Sequence, residues 1–178
     1  MAIADLELLT SRLCLRTPVA EDAAALQAVV ADPRVALTTA SIPHPYPEGG
    51  ALAFIERVRS MAGPDRRNLA ITRRSANEFI GMVGFVGNGS EAELAYMVSP
   101  SRWGCGYATE AVSRLIAYLF EETQFSAVVA RAMMANPASE AVLRKAGLQW
   151  EGAAEVELPV RSGMVPTSFW RLDRGRVS

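Results

Sequence analysis

Apolar residues recur along this chain with two periods, and each change of period marks the edge of an element. Between Leu8 and Arg16, Leu13 and Leu15 alternate with Arg12, Cys14 and Arg16, as in a half-buried strand. Thr17-Pro18 breaks that strand. Glu21-Asp22 then opens an alanine-rich helix to about Ala31, with an acidic start that complements the helix dipole. Asp32-Pro33 stops it. The loop from Ser41 to Pro47 carries Pro43, Pro45 and Pro47 with His44 and Tyr46 between them. Each proline lacks an amide donor and fixes φ, so this stretch is irregular. Glu48 to Met61 returns to the helical period, with Phe54, Ile55, Val58 and Met61 on one stripe, and Gly63-Pro64-Asp65 ends it.

Three strands follow, at Asn68–Arg73, Glu78–Val86 and Ala92–Val98, with an Asn88-Gly89 hairpin signal before the third. Tyr107 to Glu122 is the strongest helix. Ala108, Ala111, Val112, Leu115, Ile116, Leu119 and Phe120 all fall on one face. An apolar strand at Ala127–Met134 precedes a short helix at Pro137–Lys145, with Gly147 just past its end. Strands near Gln149–Leu158 and Thr167–Leu172 close the chain. The order β-α-α-β-β-β-α-β-α-β-β predicts one α/β or α+β domain over residues 1–178.

Composition narrows the function classes. A chain of 178 residues that is 50% hydrophobic buries a core without disulfides, since about 68–70% of the unfolded surface is lost at this size. A net charge of −1 argues against coating nucleic acid. Cys14, Cys105 and the single His44 form neither a disulfide framework nor a structural zinc site. No run of apolar residues is long enough to span a bilayer, and Met1 to Leu9, with Asp5 and Glu7, lacks a leader pattern. The expectation is a soluble cytoplasmic protein with neither nucleic acid nor membrane as partner. Lys145 is the lone lysine among 18 basic residues, an excess of arginine read as nucleotide bias.

Chemistry concentrates where the third strand of the meander ends. From Val98 through Trp103-Gly104-Cys105-Gly106-Tyr107-Ala108-Thr109, a strand gives way to two glycines and then at once to the long helix. Glycines let a backbone approach an anion closely, and the free N–H groups of a first helical turn point at it. The same pattern also suits an ordinary turn before a core helix. It fits neither the Walker loop nor the three-glycine dinucleotide fingerprint. Further on, Asn136 stands at the N-cap of the short helix, three residues before Ser139.

Together these segments resemble the GCN5-related N-acetyltransferase (GNAT) superfamily, in particular the branch of ribosomal-protein alanine N-acetyltransferases. Trp103-Gly104-Cys105-Gly106-Tyr107-Ala108 is similar to the family's Gln/Arg-x-x-Gly-x-Gly/Ala loop, with Trp103 replacing the usual Gln or Arg. Asn136-x-x-Ser139 through Val142-Leu143-x-Lys145-x-Gly147 resembles its second motif. Thr10-Ser11-Arg12-Leu13-x-Leu15-Arg16 and Pro43-x-Pro45-Tyr46-Pro47 also look like this branch, so the likeness spans nearly the whole chain.

The resemblance implies a mixed sheet of six to seven strands, splayed at a cofactor groove and flanked by about four helices. It implies acetyl-CoA as co-substrate, no metal, and a small-molecule or peptide amine as acceptor, in a monomer or homodimer. The pyrophosphate would rest on Gly104, Cys105, Gly106, Tyr107, Ala108 and Thr109, beside Trp103. The pantetheine arm would run along Met97 and Val98 in the manner of an added strand and meet Asn136. Arg144 or Lys145 would reach the adenosine phosphates or lie solvated on the helix back.

Transfer needs a neutral amine and stabilisation of a departing thiolate. Strand alternation puts Glu91, Glu93, Ala95 and Met97 on one face, making Glu93 the first candidate base and Glu91 the second. For the acid the resemblance implies a Tyr or Ser near the thioester, and Ser139 matches the serine of this branch. Of the four tyrosines, Tyr46, Tyr96, Tyr107 and Tyr118, Tyr107 belongs to the phosphate loop and Tyr118 to the middle of the helix, so neither of those two suits. His44 and Tyr46, in the proline-rich loop, are the candidate acceptor contacts. The alternatives are a non-catalytic acyl-CoA sensor of the same fold and a nucleotide-binding protein that takes ATP in the same loop.

Overall fold

The computed structural model describes residues 5–176; residues 1–4, part of the stretch weighed as a leader, lie outside the described residues. Among the described residues, eight strands build one sheet. They are β1 (Glu7–Leu9), β2 (Leu13–Arg16), β3 (Arg66–Arg73), β4 (Glu78–Asn88), β5 (Glu91–Val98), β6 (Ala127–Met133), β7 (Gln149–Glu157) and β8 (Met164–Asp173). Their spatial order is β1-β2-β3-β4-β5-β6-β8-β7, and β5–β6 is the parallel pair among antiparallel neighbours. Five α-helices accompany them: α1 (Ala23–Ala31), α2 (Pro33–Ala36), α3 (Gly50–Ser60), α4 (Tyr107–Glu122) and α5 (Pro137–Lys145). A parallel pair needs a crossover, and α4 provides it.

The sheet is the mixed α/β architecture expected, with one strand and one helix more. The segment read as a single strand from Leu8 to Arg16 is a hairpin of β1 and β2. Thr10 turns the chain: its amide donates to the Leu13 carbonyl at 2.9 Å, and its hydroxyl accepts the Leu13 amide at 2.8 Å. The second correction lies at Asp32-Pro33, which starts a helix as well as ending one. The Asp32 carboxylate accepts the Arg34 amide at 2.9 Å, and Pro33 takes the first helical position of α2. In α3, Gly49 at φ 69° sets the N-terminus two residues later than expected. Met61 leaves the apolar stripe there, becoming the C-cap with 48% of its surface exposed.

Alternate strand residues face opposite sides of the sheet. Leu69, Ile71, Val83, Phe85, Leu94 and Val98 join Ala111, Val112, Leu115 and Leu119 of α4, and Leu143 of α5, in the larger apolar cluster. Ala70 and Met82, from the other face, pack with Leu26 and Val30 of α1 and Ala51 and Ile55 of α3. One face thus carries α4 and α5, the other α1 and α3. A bidentate pair, Arg16 to Asp22 at 2.8 Å on each side, ties the end of β2 to the entry of α1.

Candidate active site

The sheet opens at its centre. β5 and β6 pair from Glu91↔Ala127 to Leu94↔Ala130 and then part. On its other edge β5 stays paired with β4 as far as Val98↔Gly81. Ala95, Tyr96, Met97 and Val98 therefore hold a strand partner on one side and turn a free edge to the opening. That is the splay the resemblance implies, with Met97 and Val98 on its rim.

At the end of this free edge the chain makes a short turn over Pro100–Arg102 and enters α4 through Gly104 at φ 74° and Gly106 at φ 78°. Both glycines lie in the left-handed region that side chains disfavour. Among the described residues, the backbone amides of residues 104 to 109 donate to no protein acceptor. Glycine backbone, free amides and the positive end of a 16-residue helix together form an anion cradle. Trp103 does something else. Its indole N–H donates to the Val98 carbonyl at 2.7 Å, and the Arg34 guanidinium lies 5.9 Å from its ring centre. It latches the strand end to the loop. Cys105 is exposed, its thiol 3.6 Å from the Trp103 carbonyl.

Residues from the first hairpin brace the cradle, and the sequence reading assigned them no role. The Arg12 guanidinium donates to the Cys105 carbonyl at 3.0 Å and to Glu110 at 2.6 Å, and stacks 4.5 Å over the Tyr107 ring. Glu110 also accepts the Thr10 hydroxyl at 2.5 Å and the Arg12 amide at 3.1 Å. Glu78 is held between Arg73 at 2.7 Å and Arg102 at 2.6 Å on the far side of the loop. Burial pushes the Glu110 carboxyl up, but the Thr10 hydroxyl and Arg12 outweigh it and hold the group below its ordinary value. The unfolded chain then takes the proton first, so this contribution is complete above the unfolded value of about 4.3 and fades as pH falls through the folded one. Glu110→Gln is expected to lower the thermal midpoint at neutral pH. Its deficit against the unaltered chain should close in the acid range, which melts from neutral pH downward will follow.

Across the opening, at the head of α5, the Asn136 side chain accepts the Ser139 amide at 3.2 Å and donates to the Thr38 carbonyl at 3.4 Å. It caps the helix and ties it to the loop after α2. The Ser139 hydroxyl lies 2.7 Å from the phenol oxygen of Tyr96, which also reaches the Ser139 carbonyl at 3.0 Å. Burial pushes the Tyr96 phenol up to about 12, against a smaller lowering by Ser139. Tyr96 is thus joined to a candidate site residue, and the sequence alone assigns it no particular role. The available signal was its place between Leu94 and Val98, a polar tip on an apolar face. Arg144 stacks 5.5 Å from the Trp170 ring.

Glu91, Glu93 and Met97 face the α1/α3 side, as the alternation required. Both carboxylates are taken: Arg131 of β6 holds Glu93 at 2.6 Å, and Arg171 of β8 holds Glu91 at 2.6 Å. Tyr46 packs with Ile42, Phe54 and Met97 against the smaller cluster, and burial pushes its phenol up despite Arg57. His44 is exposed and has no hydrogen-bond partner among the described residues. The structure thus gathers Met97, Val98, residues 103–109, Asn136 and Ser139 around one opening, with Tyr46 packed near Met97. Glu91 and Glu93 lie in the paired stretch of β5 before the opening, and His44 is exposed on its loop. Among the described residues, no group of three His, Cys, Asp or Glu side chains suits a metal, and no helix is long and apolar enough to cross a membrane.

A mixed sheet that splits beside its parallel pair, with a glycine loop at the end of the opened strand, is the arrangement that the resemblance to acetyltransferases implied. The chain belongs to the GNAT acetyltransferase family: residues 12–149 match the model of the acetyltransferase (GNAT) domain. It is 31% identical to the uncharacterized N-acetyltransferase p20 of Bacillus licheniformis over 82% of this chain and 83% of that one. It is 35% identical to the uncharacterized N-acetyltransferase YoaA of Bacillus subtilis over 46% of this chain. That match spans about half of YoaA, 48% of its length. A GNAT acetyltransferase structure from Bacillus anthracis superimposes with a TM-score of 0.86 at 19% identity, covering 96% of this chain and all of that one. The microcin C7 self-immunity acetyltransferase MccE, in complex with acetyl-CoA and AMP, gives 0.81 at 16% identity over 92% and 93% of the two chains. RimL, a ribosomal L7/L12 alpha-N-protein acetyltransferase in complex with coenzyme A, gives 0.82 at 15% identity over 94% and 98%. At such identities the structural likenesses establish the fold alone.

Proposed function

We propose that this chain moves an acetyl group from acetyl-CoA directly to a primary amine, at a protein N-terminus or on a small molecule. The observation that carries the reading is the free edge of β5 running straight into the cradle of residues 104–109. A pantetheine arm laid along Ala95 to Val98 would gain strand-like hydrogen bonds, and the pyrophosphate at its far end would meet unpartnered amides. Acetyl-CoA and coenzyme A in MccE and RimL support this choice of co-substrate.

Within the opening the two reactants come from opposite sides. Ser139 and Tyr96 stand on the α4/α5 face, while Glu93 and Met97 stand on the α1/α3 face. An amine approaching from the α1/α3 side attacks the thioester carbonyl carbon. The carbon–sulfur bond breaks with its electron pair on sulfur, and the Ser139 hydroxyl is the group at hand to hydrogen-bond that sulfur. Glu93 and Glu91 are each held by an arginine, so either would meet the amine only by leaving that partner. An α-amine near 7.7–8.0 needs only about 1 kcal/mol to be neutral at pH 7, whereas a lysine near 10.4 needs about 4–5 kcal/mol. An acceptor of low pKa therefore makes the smaller demand on the site.

The test is calorimetric titration with acetyl-CoA, with ATP and NADH as controls, followed by thiol release with a panel of amines and free peptide N-termini. Micromolar binding of acetyl-CoA alone, with release that depends on the amine, is the expected result. Binding without release by any amine would favour the sensor reading. Absence of binding by a folded chain would return the glycine loop to an ordinary turn.

A further inference from the structure

We propose that Tyr96 is a positioning residue that acts through Ser139: its phenol holds the serine hydroxyl aimed into the opening and strengthens it as a donor to the departing sulfur. This rests on the reading under Proposed function. Tyr96 is the second residue of β5 beyond the last pair with β6, and Ser139 lies in the first turn of the helix that follows β6. The contact therefore links the free stretch of β5 to the helix that follows β6, across the opening, between residues 43 apart in sequence.

Counting protons gives the pair its logic. The phenol has one proton and faces two acceptors on the same residue, the Ser139 carbonyl at 3.0 Å and the hydroxyl oxygen at 2.7 Å. With the phenol proton on the carbonyl, the hydroxyl donates back to the phenol oxygen. When a sulfur bearing negative charge occupies the opening, the hydroxyl turns to it and the phenol proton turns to the hydroxyl oxygen. Neither hydroxyl is left without a partner, and the second bond polarises the first.

The pair donates a hydrogen bond and keeps its protons. A thiol near 8.5 is a far stronger acid than this phenol, which burial pushes up to about 12. The electron pair of the broken carbon–sulfur bond stays on sulfur, which takes its proton from solvent. The proton lost by nitrogen goes to solvent as well, so the balance closes. Asn136 holds the other side of the arrangement, because its side chain fixes the Ser139 amide.

The experiment compares the unaltered chain with Tyr96→Phe, Ser139→Ala and the double variant, by thiol release with a peptide amine and by acetyl-CoA titration. Phenylalanine keeps the ring and removes only the hydroxyl. We expect Tyr96→Phe to lower kcat by about 10- to 100-fold, leaving the acetyl-CoA Kd within about twofold of the unaltered chain. The double variant should be no slower than Ser139→Ala alone, because a residue that acts through another has nothing to add once that one is gone. The ratio of unaltered to Tyr96→Phe kcat should stay flat from about pH 6 to 9, since neither hydroxyl titrates there. The proposal is overturned if Tyr96→Phe keeps kcat within about twofold, loses acetyl-CoA binding or folding, slows Ser139→Ala further, or removes a titrating limb. Failure of the underlying reading looks different: the unaltered chain would then bind acetyl-CoA without releasing thiol to any amine, and this proposal would fall with it.

Discussion

Gly106→Val is expected to weaken acetyl-CoA binding by about 2–3 kcal/mol, roughly 30- to 150-fold, in a chain that still folds. Gly106 sits at φ 78° as the N-cap of α4, and its amide is one of those left unpartnered between residues 104 and 109. A β-branched side chain is a true outlier in that region, so the loop will move to a negative φ and the amides will turn away from a common centre. Space is not the obstacle, since an added Cβ would find only the Arg12 guanidinium, at 3.5 Å. Gly89 provides the matched control. It turns the β4–β5 hairpin at φ 61° with nothing within 4 Å of an added Cβ, at the end of β5 remote from the cradle. Gly89→Val imposes a similar backbone penalty, so its thermal midpoint should fall about as much while its acetyl-CoA affinity stays unchanged. Equal affinity losses in the two variants would mean that the cradle does not hold the co-substrate.

The elements that were legible in the sequence are those whose limits are local. Helices α4 and α5 occupy the residues expected, because an apolar stripe fixes each face and Gly106, Asn136, Pro137 and Gly147 mark their ends. The β1–β2 hairpin escaped notice because a threonine side chain builds its turn, with no glycine, proline or asparagine to announce it. Alternation placed Glu91 and Glu93 on the correct face. Their arginine partners come from β6 and β8, and the spatial order β5-β6-β8 that brings those strands close is written in no short stretch of sequence. Ser139 stands in a recognisable motif and Tyr96 does not, and a contact across 43 residues that spans a break in the sheet is a property of the fold. The Arg12–Glu110 brace is hidden in the same way, joining a hairpin to a helix nearly a hundred residues later.

Gly81→Ala is expected to cost about 3 kcal/mol of stability and, in addition, to disturb the site. At Gly81 the backbone of β4 runs so close to β5 that an added Cβ would be driven into the Met97 carbonyl oxygen and would lie 2.9 Å from the Val98 Cα. Backbone cannot swing aside as a flexible side-chain end can, so the end of β5 must shift. That end is the free edge proposed to carry the pantetheine arm, and the Val98 carbonyl is where Trp103 latches the loop. Gly84→Ala tests whether the site effect is specific. Its Cβ would meet the Arg67 carbonyl oxygen at 2.5 Å, on the β3 side of the same strand. Both variants should lower the thermal midpoint, but only Gly81→Ala should also raise the acetyl-CoA Kd when titrated well below its midpoint. If the two lose affinity alike, general loosening of the sheet accounts for the effect. If Gly81→Ala binds as the unaltered chain does, the Met97–Val98 edge does not carry the co-substrate, and the pantetheine path must be sought along β6.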